Sequence, residues 1–106
     1  MKDNHCWHLV PESEITVDFS NCRYADDIHE QMKASFGFPG DYGANWSAFW
    51  DYLDDFCGDR ESVTTVIILG LELLRDDLKD YTAKMIEIMH RAERMYPRVH
   101  FVFRNS

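Results

Sequence analysis

Residues Phe38 to Asp55 read FPGDYGANWSAFWDYLDD. The stretch opens on a proline–glycine pair, repeats a glycine at Gly43, then runs into aromatic residues and aspartates. Pro39-Gly40 and Gly43 mark a loop. Asn45 stands where a helix begins, because its side-chain oxygen can accept an orphan backbone N–H of the first turn. At about 100° per residue, Trp46, Phe49, Leu53 and Phe56 fall on one stripe, the expected core face of this helix. Ser47, Asp51, Asp54 and Asp55 fall on the other side, and Trp50 sits on the border between the two. Aspartate is a poor helix former. Asp54 and Asp55 also lie near the end of the helix, where its dipole disfavours anions by about 0.3–1 kcal/mol each. Broken local rules mark a candidate functional surface. The plain reading of the same residues is a solvated acidic face and a tryptophan lapping over the core. A tryptophan at the edge of a core stripe, flanked by carboxylates, has instead the makeup of an interface anchor.

Outward from this helix the chain alternates strands and helices. EITVDFS, Glu14 to Ser20, alternates Ile15, Val17 and Phe19 with polar residues and predicts a first strand. In YADDIHEQMKASFGF, Ala25, Ile28, Met32 and Phe36 recur at three- and four-residue spacing, so a helix is expected, ending near Phe36-Gly37. SVTTVIILG, Ser62 to Gly70, is β-branched and apolar on both faces, which predicts a central strand covered on both sides. A long helix is expected from about Asp77 to Tyr96. Leu78, Tyr81, Met85, Ile88, Ala92 and Met95 form its heptad-like stripe, and Pro97 stops it. RVHFVFR, Arg98 to Arg104, closes the chain as a last strand. The order β-α-α-β-α-β predicts an α/β fold, with a small three-stranded parallel sheet packed against about three to four helices. The 106 residues suffice for one core and not for two. Residues 1–13, which include Pro11, read as an irregular lead-in, and residues 14–106 as a single domain.

Apolar residues make up 45% of the chain, so it can bury a core, and the net charge of −8 repels nucleic acid and anionic membranes while attracting basic partners. From Asp41 to Glu61 there are six acids (Asp41, Asp51, Asp54, Asp55, Asp59, Glu61) and one base (Arg60), a net −5 of that −8. Cys6, Cys22 and Cys57 are odd in number and widely spaced, which is no disulfide framework and points to a reducing compartment. There is no basic segment followed by an apolar run at the N-terminus, and the longest apolar run, Val66 to Leu69, cannot cross a bilayer. A soluble cytoplasmic protein is expected.

Catalytic signatures are weak. Asp51 and Asp55 lie four apart, so both carboxylates could approach one cation, but a metal site recruits more than one helical pair. His5, Cys6 and His8 match no usual zinc spacing and sit in the lead-in. His29, His90 and His100 read as solvated or core-edge histidines, and Cys22 and Cys57 as packed thiols. The glycines of FGFPGDYG lack the lysine of a phosphate-binding loop. No cofactor is expected.

The segment IHEQMKASFGFPGDYGANWSAFWDYL, Ile28 to Leu53, resembles the barstar family of bacterial ribonuclease inhibitors. The family pattern is matched at His29, Pro39, Tyr42, Gly43, Asn45, Ala48, Trp50, Asp51 and Leu53, with Phe49 in place of a leucine. The resemblance implies a non-enzymatic protein that plugs the basic active site of a nuclease toxin as a monomer in a 1:1 complex. Asn45, Trp50 and Asp51 would be contact residues, with Asp51 the central anion. Departures from the pattern lie at Asp41, where the family has tyrosine, at Ser47, where it has aspartate, and at Asp54, Asp55 and Phe56, where it has small residues and tryptophan. The partner-binding set expected is thus Asp41, Tyr42, Gly43, Asn45, Ser47, Trp50, Asp51, Asp54 and Asp55. Arg91 and Met95 fall near the positions of the family's last-helix acids, with Glu87 and Glu93 close by. Two other functions fit the same residues: an acidic adaptor that binds another basic protein, or a small metal-dependent enzyme using Asp51 and Asp55.

Overall fold

The computed structural model describes residues 13–105. The lead-in up to residue 12, with His5, Cys6 and His8, lies outside the described residues. The elements are β1 (Glu14–Asp18), α1 (Ala25–Phe36), α2 (Trp46–Gly58), β2 (Thr64–Leu69), a 3-10 turn at Leu71–Leu73, α3 (Asp76–Met95) and β3 (Val99–Arg104). The order is the expected β-α-α-β-α-β. All strand pairs are parallel and the sheet runs β1-β2-β3, with β2 in the centre.

Register decides which side chains share a face. Ile15 pairs with Val66 and Val66 with Phe101, while Val17 pairs with Ile68. All five are buried. They meet Ile28, Met32 and Phe36 of α1, Phe49, Leu53 and Phe56 of α2, and Met85, Met89 and Ala92 of α3 in one core. On the opposite face Glu14, Thr16, Asp18, His100 and Arg104 are exposed. Two right-handed crossovers taken in the same direction across a sheet place their helices on one side of it. β2 is fully buried on the helix side at Thr64, Val66 and Ile68, and on its other face Ile67 is buried while Thr65 and Leu69 are half-buried, so the expected two-sided burial is met in part.

Local chemistry fixes the element ends. The Asp27 carboxylate accepts the backbone N–H groups of Arg23 and Tyr24, both at 3.0 Å, and so closes the start of α1. Gly37 ends α1 at φ 76°, donating its N–H to the Lys33 carbonyl. The Asn45 side chain accepts the Ala48 N–H at 2.8 Å and starts α2. Gly70 turns the chain out of β2 at φ 85°, where a Cβ would stand 2.5 Å from the Ser20 nitrogen.

The buried stripe of α3 is Leu78, Thr82, Met85, Ile88, Met89 and Ala92. It is rotated from the expected stripe. Tyr81 is half-buried, and Met95 is exposed in the last turn. A strict seven-residue repeat drifts about 20° per heptad on a straight helix, so an unsupercoiled helix buries neighbours of the heptad positions instead.

Candidate protein-binding surface

The candidate surface rests on an aromatic layer. Trp46, expected in the core, is half-buried and packs against His29 (4.5 Å between ring centroids), Tyr81 (4.8 Å) and Phe49 (5.7 Å). Beneath it lies His29, which is buried rather than solvated or at the core edge. Its Nδ1 is 2.7 Å from the Tyr42 hydroxyl and its Nε2 is 2.7 Å from the Tyr81 hydroxyl. A neutral imidazole satisfies both contacts, donating through one nitrogen and accepting through the other. Burial pulls the His29 pKa down, and the Asp26 charge opposes that only in part. Three segments are tied together this way: α1 through His29, the loop before α2 through Tyr42, and α3 through Tyr81.

Above this layer, α2 and α3 enclose a groove of about 330 Å³. On the α2 side it is lined by Trp46, Ser47, Trp50 and Asp51, and on the α3 side by Lys84, Glu87, Ile88 and Arg91. Trp50 is half-buried with its ring against the core. The Arg91 guanidinium lies 4.4 Å over that ring. Ser47 and Asp51 are exposed. Among the described residues, no hydrogen bond or ion pair ties down the Asp51 carboxylate.

The other expected contact residues divide. Gly43 and Asn45 sit in the loop and cap that feed α2; a Cβ on Gly43 would stand 3.3 Å from the Asn45 side-chain nitrogen, so the turn is tight. Asp41 is exposed and accepts the Tyr52 hydroxyl at 2.9 Å. Tyr42 is buried, its ring among Phe38 and Tyr52 and its hydroxyl on His29. Asp54 turns away from the groove and accepts the Tyr96 hydroxyl, which joins the end of α2 to the end of α3. That bond pushes the Tyr96 pKa up to about 12. Asp55 is half-buried one turn beyond Asp51. Among the described residues, no group of three or more His, Cys, Asp or Glu is placed to hold a metal ion.

Sequence reasoning missed Lys84 as a groove residue and left Glu87 and Arg91 unplaced. Their spacing over 84, 87, 88 and 91 is that of one helix face, but nothing local says that this face meets α2. The two described cysteines are free, and burial pushes Cys57 up to about 12 and Cys22 to about 11. Both are thiols at neutral pH. No helix among the described residues is long and apolar enough to cross a membrane.

The chain is thus a three-stranded parallel α/β domain with an aromatic-lined groove between its second and third helices. The family profile described as barstar, barnase inhibitor, matches residues 13–105, and the chain belongs to the barstar family. A search of curated proteins returned no match.

Proposed function

We propose that this protein is a non-enzymatic inhibitor, an immunity protein, which binds a bacterial ribonuclease toxin and covers its basic active site with the α2 surface. One observation carries the reading: the half-buried Trp50 and the exposed Asp51, unpaired among the described residues, both line the α2–α3 groove. A flat, half-buried aromatic supplies contact area at low entropic cost, and a carboxylate with no internal partner is available to a cation. Asp41, Gly43, Asn45, Ser47 and Asp55 extend the contact surface around this pair. Tyr42 and Asp54 act from behind it, Tyr42 by fixing the loop on His29 and Asp54 by fixing the helix end on Tyr96.

Membership of the barstar family supports a ribonuclease as the partner. His29 has both ring nitrogens bonded to tyrosine hydroxyls, which gives it a structural place beneath the surface. Free thiols also accord with action in the cytoplasm, where a toxin must be neutralised before export. A specific complex of ordinary size would bury about 1,600 Å² in total.

The test is calorimetric titration of the chain into the protein encoded by the adjacent reading frame, followed by an RNA cleavage assay on the mixture. One-to-one binding that suppresses cleavage is expected. One-to-one binding that leaves cleavage intact would make the protein an adaptor and overturn the inhibitor reading.

A further inference from the structure

The groove does not carry acid alone. Four charged groups line it: Asp51 from α2, and Lys84, Glu87 and Arg91 from α3. Lys84 and Glu87 answer each other in an ion pair of 2.9 Å. What is left is one anion, Asp51, and one cation, Arg91. The Arg91 guanidinium is stacked at 4.4 Å over Trp50, the residue read above as the anchor. Stacking uses the face of a guanidinium and leaves the N–H groups at its edge pointing outward. Among the described residues, no carboxylate lies within ion-pair distance of Arg91 and no hydrogen bond engages it. Its residue is exposed, so water satisfies those donors in the free protein.

A partner that covers Trp50 must cover Arg91 as well, since the two are in contact. Water is then expelled from a charged group that no described residue pairs, and an unpaired buried charge is strongly unfavourable. Planar guanidinium donors are met best by a carboxylate, which can accept two parallel hydrogen bonds. We infer that the partner presents an aspartate or glutamate side chain to Arg91 beside the basic group it presents to Asp51. The recognised surface is therefore a charge doublet, one basic and one acidic group flanking an apolar contact on Trp50. It is not a uniformly basic patch. A purely basic surface would meet Arg91 with like charge, so Arg91 rejects such surfaces as well as selecting the right one. This inference rests on the reading of the groove as the ribonuclease-binding site.

The experiment measures binding of the ribonuclease that the wild-type chain inhibits, sought first in the product of the adjacent reading frame, to the wild-type chain and to Arg91→Met, Arg91→Lys and Arg91→Glu, with denaturation midpoints confirming that each variant is folded. Methionine keeps an apolar stem over Trp50 but removes the charge. Each acidic residue on the ribonuclease surface that contacts the inhibitor is then changed to its amide, and each change is combined with Arg91→Met. We expect Arg91→Met to weaken binding by about tenfold or more, Arg91→Glu by more, and Arg91→Lys by less. Against one of the amide variants, Arg91→Met should cost nothing further. If Arg91→Met binds within about twofold of wild type, or if its loss is the same against every amide variant, Arg91 merely supports Trp50 and the inference is overturned. If the wild-type chain itself binds no such ribonuclease, the reading of the groove fails and this inference fails with it.

Discussion

Two tryptophans four residues apart have different work. Trp50 lies against the core with Arg91 on its outer face, while Trp46 packs on His29, Tyr81 and Phe49. Trp50→Ala should cost about 2 kcal/mol or more of binding, as anchor aromatics do. Its cost in stability should stay below the roughly 3–5 kcal/mol of a fully buried tryptophan. Trp46→Ala should do the reverse, costing more stability than Trp50→Ala because it opens the layer over His29 and Tyr81, and little binding. Chemical denaturation and calorimetry on both variants read the two costs separately. His29 gives a second residue-scale prediction. Its folded pKa lies below the ordinary imidazole value of about 6.5, so the unfolded chain takes up a proton first as the pH falls. The stability that His29 contributes is complete above about pH 6.5 and is lost as the pH drops toward the folded pKa. Denaturation midpoints should fall between pH 7 and pH 5, and His29→Gln, whose amide can still meet both tyrosines, should flatten that slope. At this scale the sequence was legible for Phe49, Leu53 and Phe56, which are all buried where the helical repeat puts them. It was not legible for His29, whose partners come from 13 and 52 residues away and leave no local trace. Trp46 is half-buried rather than core for the same reason, since it caps a polar cluster assembled from distant segments.

The elements are held at their ends. Asn45 accepts the Ala48 N–H, and Asn45→Ala should lower stability by about 0.5–2 kcal/mol through loss of the α2 cap. At Gly70 the left-handed turn has no room for a side chain, because a Cβ would meet the Ser20 nitrogen at 2.5 Å and its Cα at 2.8 Å. Gly70→Ala should therefore destabilise by more than about 1 kcal/mol, since both the backbone conformation and the clash oppose it. Thermal unfolding of the two variants checks both values. The strands and α-helices and their order were readable along the described chain, because the strands are short and β-branched and α1 and α2 start at capped ends, whereas the 3-10 turn at Leu71–Leu73 was not foreseen. Orientation about the α3 axis was less so. The heptad template put Tyr81 and Met95 on the buried stripe and left out Thr82 and Met89, which are buried. A period of 3.5 and one of 3.6 part company over a 20-residue helix. The one-sided cover of the sheet was likewise invisible in β2 itself, whose residues are apolar on both faces. Only the strand order, a property of the whole chain, settles it.

As a whole the molecule is a net anion with a charge of −8, and the exposed Asp51 lines the groove. A field of that sign draws in a basic partner and lifts the association rate above the uncharged value. Raising salt from well below to well above 0.1 M should slow association steeply and change dissociation much less, because the Debye length shrinks to about 10 Å at 0.1 M. Stopped-flow mixing at several salt concentrations reads this, and a flat association rate would remove the steering argument.

The central claim is that the α2 surface occupies a ribonuclease active site through Asp51. Asp51 is exposed and carries no core packing, so its removal leaves the fold alone. Truncating one partner of a desolvated interfacial charge pair costs about 2–5 kcal/mol or more, a general range to which ribonuclease–inhibitor pairs of this family themselves contribute. The most direct measurement is residual RNA cleavage by the product of the adjacent reading frame, titrated with the wild-type chain and with Asp51→Ala at matched folded concentration. The account predicts that the wild type abolishes cleavage at one equivalent, while Asp51→Ala requires a large excess to do so. Suppression by Asp51→Ala at one equivalent, at concentrations where the wild type is just saturating, would contradict it, as would unimpeded cleavage in the presence of the wild type.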